Sequence, residues 1–203
     1  MIVLDHEQGT EEWFAARLGV PSASNFAKLV TSTGKPSASA EGYINQLIAE
    51  RMTGERAEIY TNSHMERGTL LEPEARSYYE FVAGKDVQDV GFCLHDTICA
   101  GCSPDGLVGD YGLEIKCPSA SVQVSYLRDG KLPVQYKQQV MGCMWITGAE
   151  LWDFLSYHPD MPSLLITVER DQNYIDLLAL EVEKAADEIE KQTQRLLKMR
   201  SKP

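Results

Sequence analysis

The sequence predicts an α/β domain with a mixed central sheet flanked by helices. Three observations carry that expectation. The first third of the chain sets apolar residues at helical spacing behind residues that cap helices. The middle shifts to short apolar or alternating runs bounded by Gly, Pro and Asp. The chain then closes on a long amphipathic run. Helices, strands and helices in this order fit a layered α/β core.

Taken in order, Thr10 is placed to cap a short helix carrying Trp13 and Phe14. Ser22 can cap another carrying Phe26 and Leu29, and Ser39 can open a longer one bearing Tyr43, Leu47 and Ile48. Residues 31–39, rich in Ser, Thr, Gly and Pro, read as the most flexible loop. A further helix is expected from Thr69 to Val82, ended by Gly84, which readily takes the left-handed conformation that terminates helices. Residues 86–94, 98–103 and 111–117 read as strands, with a Gly109–Asp110 turn between the last two. Pro133 suits the first turn of a helix through Tyr136, Val140, Met144 and Trp145, stopped by Gly148. Residues 150–157 and 163–169 read as two more strands. From about Tyr174, Val182, Ala185, Ile189 and Leu196 recur at helical spacing. No repeat, low-complexity run or linker divides the chain, so residues 1–203 are read as one domain, long enough for a substantial core.

A composition of 43% hydrophobic and 24% charged residues is ordinary for a globular protein. No apolar run approaches the roughly 20 residues that span a bilayer. Met1 to Asp5 lacks the basic and apolar regions of a secretory signal, so a cytoplasmic protein with no membrane partner is expected. A net charge of -11 argues against a protein that coats DNA over its whole surface. The charge is unevenly spread, however. Residues 150–190 hold eleven acids against Arg170 and Lys184, whereas Arg17, Lys28, Lys35, Arg51 and Arg56 make residues 17–56 mildly basic. Such a chain fits an enzyme that engages DNA through one confined surface, and equally an acidic protein of another kind.

The chemistry concentrates in Ser103 to Pro118, SPDGLVGDYGLEIKCP. Strand alternation sends residues two apart to the same face, so Glu114 and Lys116 project together while Ile115 points into the core. Asp105 stands just before, across a short connection. Two carboxylates and an ammonium around one point form the PD-(D/E)xK pattern of a metal-dependent nuclease. Paired hard oxygens suit Mg²⁺, with Mn²⁺ as a substitute, and the carbonyl of Ile115 can add a third oxygen. A phosphodiester resists attack because it is anionic; a metal neutralises developing charge and acidifies bound water, and Lys116 can orient that water, deprotonate it or stabilise the pentavalent phosphorus. The competing reading makes Asp105-Gly106 a turn and Glu114/Lys116 an exposed strand pair.

The five cysteines, Cys93, Cys99, Cys102, Cys117 and Cys143, are read as reduced. Cys99-x-x-Cys102 raises the question of a metal. An iron–sulfur site needs four thiolates, and nucleases of this core that carry one place three of them near the C-terminus. No cysteine follows Cys143, so no iron–sulfur cluster is expected.

The chain resembles the lambda-type phage exonucleases of the YqaJ viral recombinase family. The blocks EEWFAARLGVPSAS, CSPDG, LEIKCP, QQVMGCMWIT, LWDFLSYHPDMP and VERD stand in family order over nearly the whole chain. The resemblance implies 5′-to-3′ digestion of linear double-stranded DNA, release of 5′-mononucleotides and a 3′ single-stranded tail. It also implies a homotrimeric ring around DNA, a single-strand annealing recombinase as partner, and phage or prophage origin. By position, Asp105, Glu114 and Lys116 match the family's metal ligands and catalytic lysine, and Glu72 in GTLLEPEA matches the acid serving a second metal. Thr69-x-x-Glu72 also reads as a capping box at a helix start. Arg17, Ser24 and Ser103 match a pocket for the terminal 5′-phosphate, which a guanidinium and two hydroxyls can hold through charge-assisted bonds. Tyr136 and Gln139 match positions near the active site, and Met65 aligns with an apolar residue that wedges apart the DNA ends. Pro21 and Ser22 depart from the family's usual residues, and 31–39 does not align. An endonuclease on the same core, or an end-binding scaffold without catalysis, are the alternatives.

Overall fold

The computed structural model of the chain describes residues 1–57 and 63–200, and only the backbone of 63–66. Strand β1 (Ile2–Leu4) pairs antiparallel with β2 (Phe92–Leu94), and β2 with β3 (Gly101–Cys102), forming a small sheet. The chain leaves this sheet at Cys102 and, after Ser103, Pro104 and Asp105, enters a second one. There β4 (Gly106–Val108), β5 (Tyr111–Lys116), β6 (Leu151–Ser156) and β7 (Leu164–Glu169) lie in that order. The β5–β6 pair is parallel and the other two pairs are antiparallel, so the sheet is mixed as expected. The strand partner of β5 differs from the expectation. Residues 98–103 do not pair with it; β4 does, across the Gly109–Asp110 turn, where Gly109 has φ +61°. Only three residues separate β3 from β4, too few for any periodic signal to mark the change of sheet.

Helix α1 (Glu11–Arg17) is capped as expected, the Thr10 hydroxyl accepting from the Trp13 amide at 3.3 Å. The segment behind Ser22 is a 3₁₀ helix, Ala23–Lys28, whose N-terminus Ser22 does not cap. Helix α2 (Ala40–Thr53) follows Ser39 and ends on the left-handed Gly54. Residues 31–39 are a loop, but a fastened one. Tyr174 Oη donates to the Thr31 carbonyl at 2.9 Å and the Ser37 amide to Leu29 O at 2.9 Å. Helix α3 (Ser63–Ala83) stops at Gly84 as expected but starts at Ser63. Thr69 is therefore inside the helix, and the capping-box reading of Thr69 and Glu72 falls. Helix α4 (Ala120–Asp129) has no counterpart in the sequence reading, because its buried face is polar at Gln123 rather than an apolar stripe. A 3₁₀ turn at Val134–Tyr136 leads into α5 (Lys137–Thr147), and α6 (Gln172–Arg200) closes the chain.

The mixed sheet divides two cores. Trp152, on the Glu114 face of β6, packs with α2, α5, α6 and the 3₁₀ segment in the larger core; Leu113, Ile115 and Leu155 pack with Ala75 and Tyr79 of α3 in the smaller. Gly112 is required on β5, because a Cβ there would strike the Trp152 ring. The smaller core holds one buried acid, Asp153, which accepts from Tyr79 Oη at 2.7 Å and Thr167 Oγ1 at 2.6 Å. Removing a donor from a buried carboxylate leaves it under-satisfied, so Tyr79→Phe is expected to cost about 1–3 kcal/mol of folding stability in urea denaturation. A change below about 0.5 kcal/mol, the scatter of neutral surface substitutions, would show that this latch does not hold α3 to the sheet.

Candidate active site

The site grows from β5 and the turn before β4. Because β5 is central, both its faces are covered, and Glu114 is fully buried on the face opposite Leu113 and Ile115. Lys116, two residues on, donates a close ion-paired hydrogen bond to Glu114 Oε1. Gln139, in the first turn of α5, donates to the same oxygen at 2.6 Å. Glu114 Oε2 is buried without a hydrogen-bond partner. Asp105 is fixed at three atoms. Its amide donates to Leu113 O at 3.1 Å, its Oδ2 accepts from the Ile115 amide at 2.6 Å, and its carbonyl accepts from Arg76 Nη2 at 2.5 Å. These contacts engage every polar atom of Asp105 except Oδ1.

Electrostatics follow from the crowding. Burial, with repulsion from Asp105 and Glu72, pushes the Glu114 carboxyl up to about 8 despite Lys116 beside it. Burial and then Asp105 also raise Glu72. For Lys116, burial acts to lower the ammonium's pKa, but Glu114 and Asp105 outweigh it and hold the group protonated.

A single cleft of about 210 Å³ brings together Arg17, Ser24, Ser103, Asp105, Glu114, Lys116 and Gln139. Within that lining, the Arg17 guanidinium lies 4.0 Å from the Trp13 ring centroid and donates to Ser103 Oγ at 2.8 Å. Trp13 Nε1 donates to the same oxygen at 3.1 Å. With both acceptor positions of Ser103 Oγ taken, its own proton is left to donate elsewhere. Burial lowers Arg17 to about 10, so it remains a cation near neutrality. Ser24 is exposed at the rim, its Oγ 3.3 Å from that of Ser22. Tyr136 lies outside the lining of the cleft but beside it, with Lys116 Nζ 5.5 Å from its ring centroid. Glu72, on α3, is likewise outside the lining, within electrostatic reach of Asp105 and Lys116. The side chain of Met65 lies outside the described residues.

Four lining residues, Gln8, Trp13, Ala23 and Cys143, had no place in the sequence reading of the site. Gln8 ties the N-terminal segment to Val90 O at 2.9 Å and Pro104 O at 2.8 Å, beside Asp105. Trp13 read only as a helix residue, although a shielded indole N–H needs an acceptor and so carried a signal. Cys143 is buried with Cys93 and Cys102; all three are free thiols, as are Cys99 and Cys117.

Among the described residues no three acidic, His or Cys side chains form a ready-made metal cluster. The donors present nonetheless fit a hard divalent cation. Two carboxylates stand side by side, one with a buried, unpartnered oxygen and the other with one oxygen left out of its anchoring contacts. A cation there would supply the charge that burial otherwise makes Glu114 draw from a proton.

The YqaJ-like viral recombinase domain matches residues 12–150. The alkaline exonuclease LHK-Exo from Laribacter hongkongensis superposes with a TM-score of 0.86 at 37% identity, over 95% of this chain and 98% of that one. LHK-Exo in complex with dAMP gives 0.85 and 38% over the same shares. A phage related exonuclease from Haemophilus somnus 129PT shares the fold alone, with a TM-score of 0.68 at 14% identity over 89% of this chain and 96% of that one. No curated protein matches the sequence.

Proposed function

Because the chain belongs to the family of YqaJ-like viral recombinase domains and has the PD-(D/E)xK-type fold of an alkaline exonuclease, we propose that it is a Mg²⁺-dependent exonuclease. It digests linear double-stranded DNA from the 5′ end, releases 5′-mononucleotides and leaves a 3′ tail for recombination by strand annealing. One observation carries this reading: a cation anchored on a hydroxyl, Arg17 with Ser103, shares one cleft with Asp105, Glu114 and Lys116. A terminal phosphate held by Arg17 sets the next phosphodiester toward the two acids and the lysine. LHK-Exo is known with dAMP, a deoxynucleoside monophosphate, which is the product class expected here.

Asp105, Glu114 and the Ile115 carbonyl are the proposed holders of the metal, with Glu72 serving a second ion. Once bound, the metal supplies charge neutralisation at the phosphate and acidification of a water. The chain's own groups do the rest. Lys116, kept protonated by its two carboxylate neighbours, donates toward the phosphate or the attacking water. Gln139 holds Glu114 Oε1 and fixes the direction of its free oxygen. The Tyr136 ring lies beside the lysine, its centroid 5.5 Å from Nζ. Following the family resemblance, the active form is a homotrimeric ring acting with a single-strand annealing partner.

Incubation of a linear duplex and a covalently closed circle of the same sequence with Mg²⁺ tests the reading. Digestion of the linear form alone to mononucleotides, with a surviving 3′ strand, is expected. Cutting of the circle would replace it with an endonuclease. Binding of linear ends without any cutting would replace it with an end-binding scaffold.

A further inference from the structure

We propose that Arg76 is a positioning residue that holds the Asp105 turn and the Glu72 segment of α3 at a fixed spacing, and thereby sets the metal affinity of the site. The inference rests on the reading of these acids as metal ligands.

Arg76 and Glu72 are four residues apart on α3, so they share one face of the helix. The Arg76 guanidinium reaches across to the mixed sheet, where Nη2 donates to the Asp105 carbonyl at 2.5 Å. It lies against Gly106, the next residue of the same turn. That bond fixes the peptide following Asp105, while the Ile115 amide fixes Oδ2. Asp105 is thus held from the strand on one side and from the helix on the other.

The second contact of Arg76, with Asp89 at 2.5 Å, does not account for its placement. Asp89 is 90% exposed, and surface ion pairs contribute little. The carbonyl contact is the directed hydrogen bond of the two, whereas Nη1, itself buried, makes no hydrogen bond. Arg76 also places positive charge beside Glu72, where Asp105 and Asp89 supply repulsion. Without it, Glu72 would keep the repulsion of Asp105 and Asp89 with Lys116 to offset it.

The helix does not depend on Arg76 for its docking. Arg67 Nη1 donates to the Cys117 carbonyl at 3.1 Å and the Pro118 carbonyl at 2.6 Å, just past the C-terminal end of β5. Tyr79 holds the sheet through Asp153. Replacing Arg76 should therefore leave α3 in place and loosen only the junction around Asp105 and Glu72.

The test is titration of the purified protein with Mn²⁺, free ion being read by electron paramagnetic resonance, beside steady-state digestion of a linear duplex and thermal unfolding. Partners that orient metal ligands typically change affinity by about 10–100-fold when removed. Arg76→Gln is expected to weaken Mn²⁺ binding about 10-fold or more and lower kcat, with KM for DNA ends within about twofold. Arg76→Lys keeps the charge but has one point of contact instead of a fork, and should recover part of the affinity. Wild-type Mn²⁺ affinity in Arg76→Gln, with or without a lowered melting temperature, would make Arg76 merely structural and overturn the inference while leaving the nuclease reading intact. Absence of Mn²⁺ binding and of cleavage in the wild-type protein would overturn both.

Discussion

Asp105→Ala, Glu114→Gln and Lys116→Ala are each expected to abolish DNA cleavage, by roughly 10²–10⁴-fold or more, and for three separable reasons. Asp105→Ala removes one of the two neighbouring carboxylates and should lose divalent-cation binding in a Mn²⁺ titration. Lys116→Ala leaves both acids, so it should still bind the cation and DNA ends while failing in turnover. Glu114→Gln removes a charge that burial disfavours, and its signature lies in stability.

The sign of that effect is fixed by the carboxyl's shift. Glu114 is raised to about 8 in the fold, so between its unfolded value near 4.5 and about 8 the native state holds the proton and the unfolded state does not. The metal-free protein therefore loses stability as the pH rises through that window, and the loss is complete above it. Glu114→Gln should flatten this dependence and unfold at a higher temperature than the wild type at pH 9 without metal. Near-wild-type cleavage by Asp105→Ala or Lys116→Ala would remove them from the site. An unchanged pH profile of stability in Glu114→Gln would refute its buried charge.

How much of this was legible depends on the range over which each residue acts. Glu114 and Lys116 are legible because a strand's alternation is a two-residue rule, and Asp105 because it lies ten residues before Ile115 in one continuous hairpin region. Glu72 was legible only ambiguously. Thr-x-x-Glu is a local signature of a helix start, but α3 already runs from Ser63, which leaves Thr69 in its interior. Trp13 and Ser103 are 90 residues apart, Gln8 and Pro104 96 apart, and Arg76 meets Asp105 across 29 residues. No periodicity in the chain encodes such meetings. The same limit hid the split between the two sheets, since 98–103 reads as the strand before β5 and 106–108 gives no strand signal, and hid α4, whose buried Gln123 bonds to Ser156 and Pro162 carbonyls instead of filling an apolar stripe.

A duplex bearing a 5′-phosphate should be degraded at least tenfold faster than one bearing a 5′-hydroxyl, and Arg17→Ala should remove most of that advantage. The guanidinium is already oriented before any DNA arrives, stacked on Trp13 and bonded to Ser103, so little side-chain freedom is lost when it engages a phosphate. Its surroundings are dry enough to lower its pKa to about 10, which makes an added anion more favourable there than at a solvated arginine. A charge-assisted hydrogen bond contributes about 1.5–3 kcal/mol, and about 1.4 kcal/mol corresponds to tenfold. The hydroxyl substrate is the internal control, because it never places a dianion against Arg17 and should lose less from the substitution. Arg17→Lys separates charge from geometry. It retains the cation but cannot keep both the stacking on Trp13 and the directed bond to Ser103, so it should recover only part of the phosphate preference. Equal slowing of both substrates by Arg17→Ala would make Arg17 a general DNA contact or a prop for Ser103, and the recognition of a terminal phosphate in this cleft would have to be abandoned.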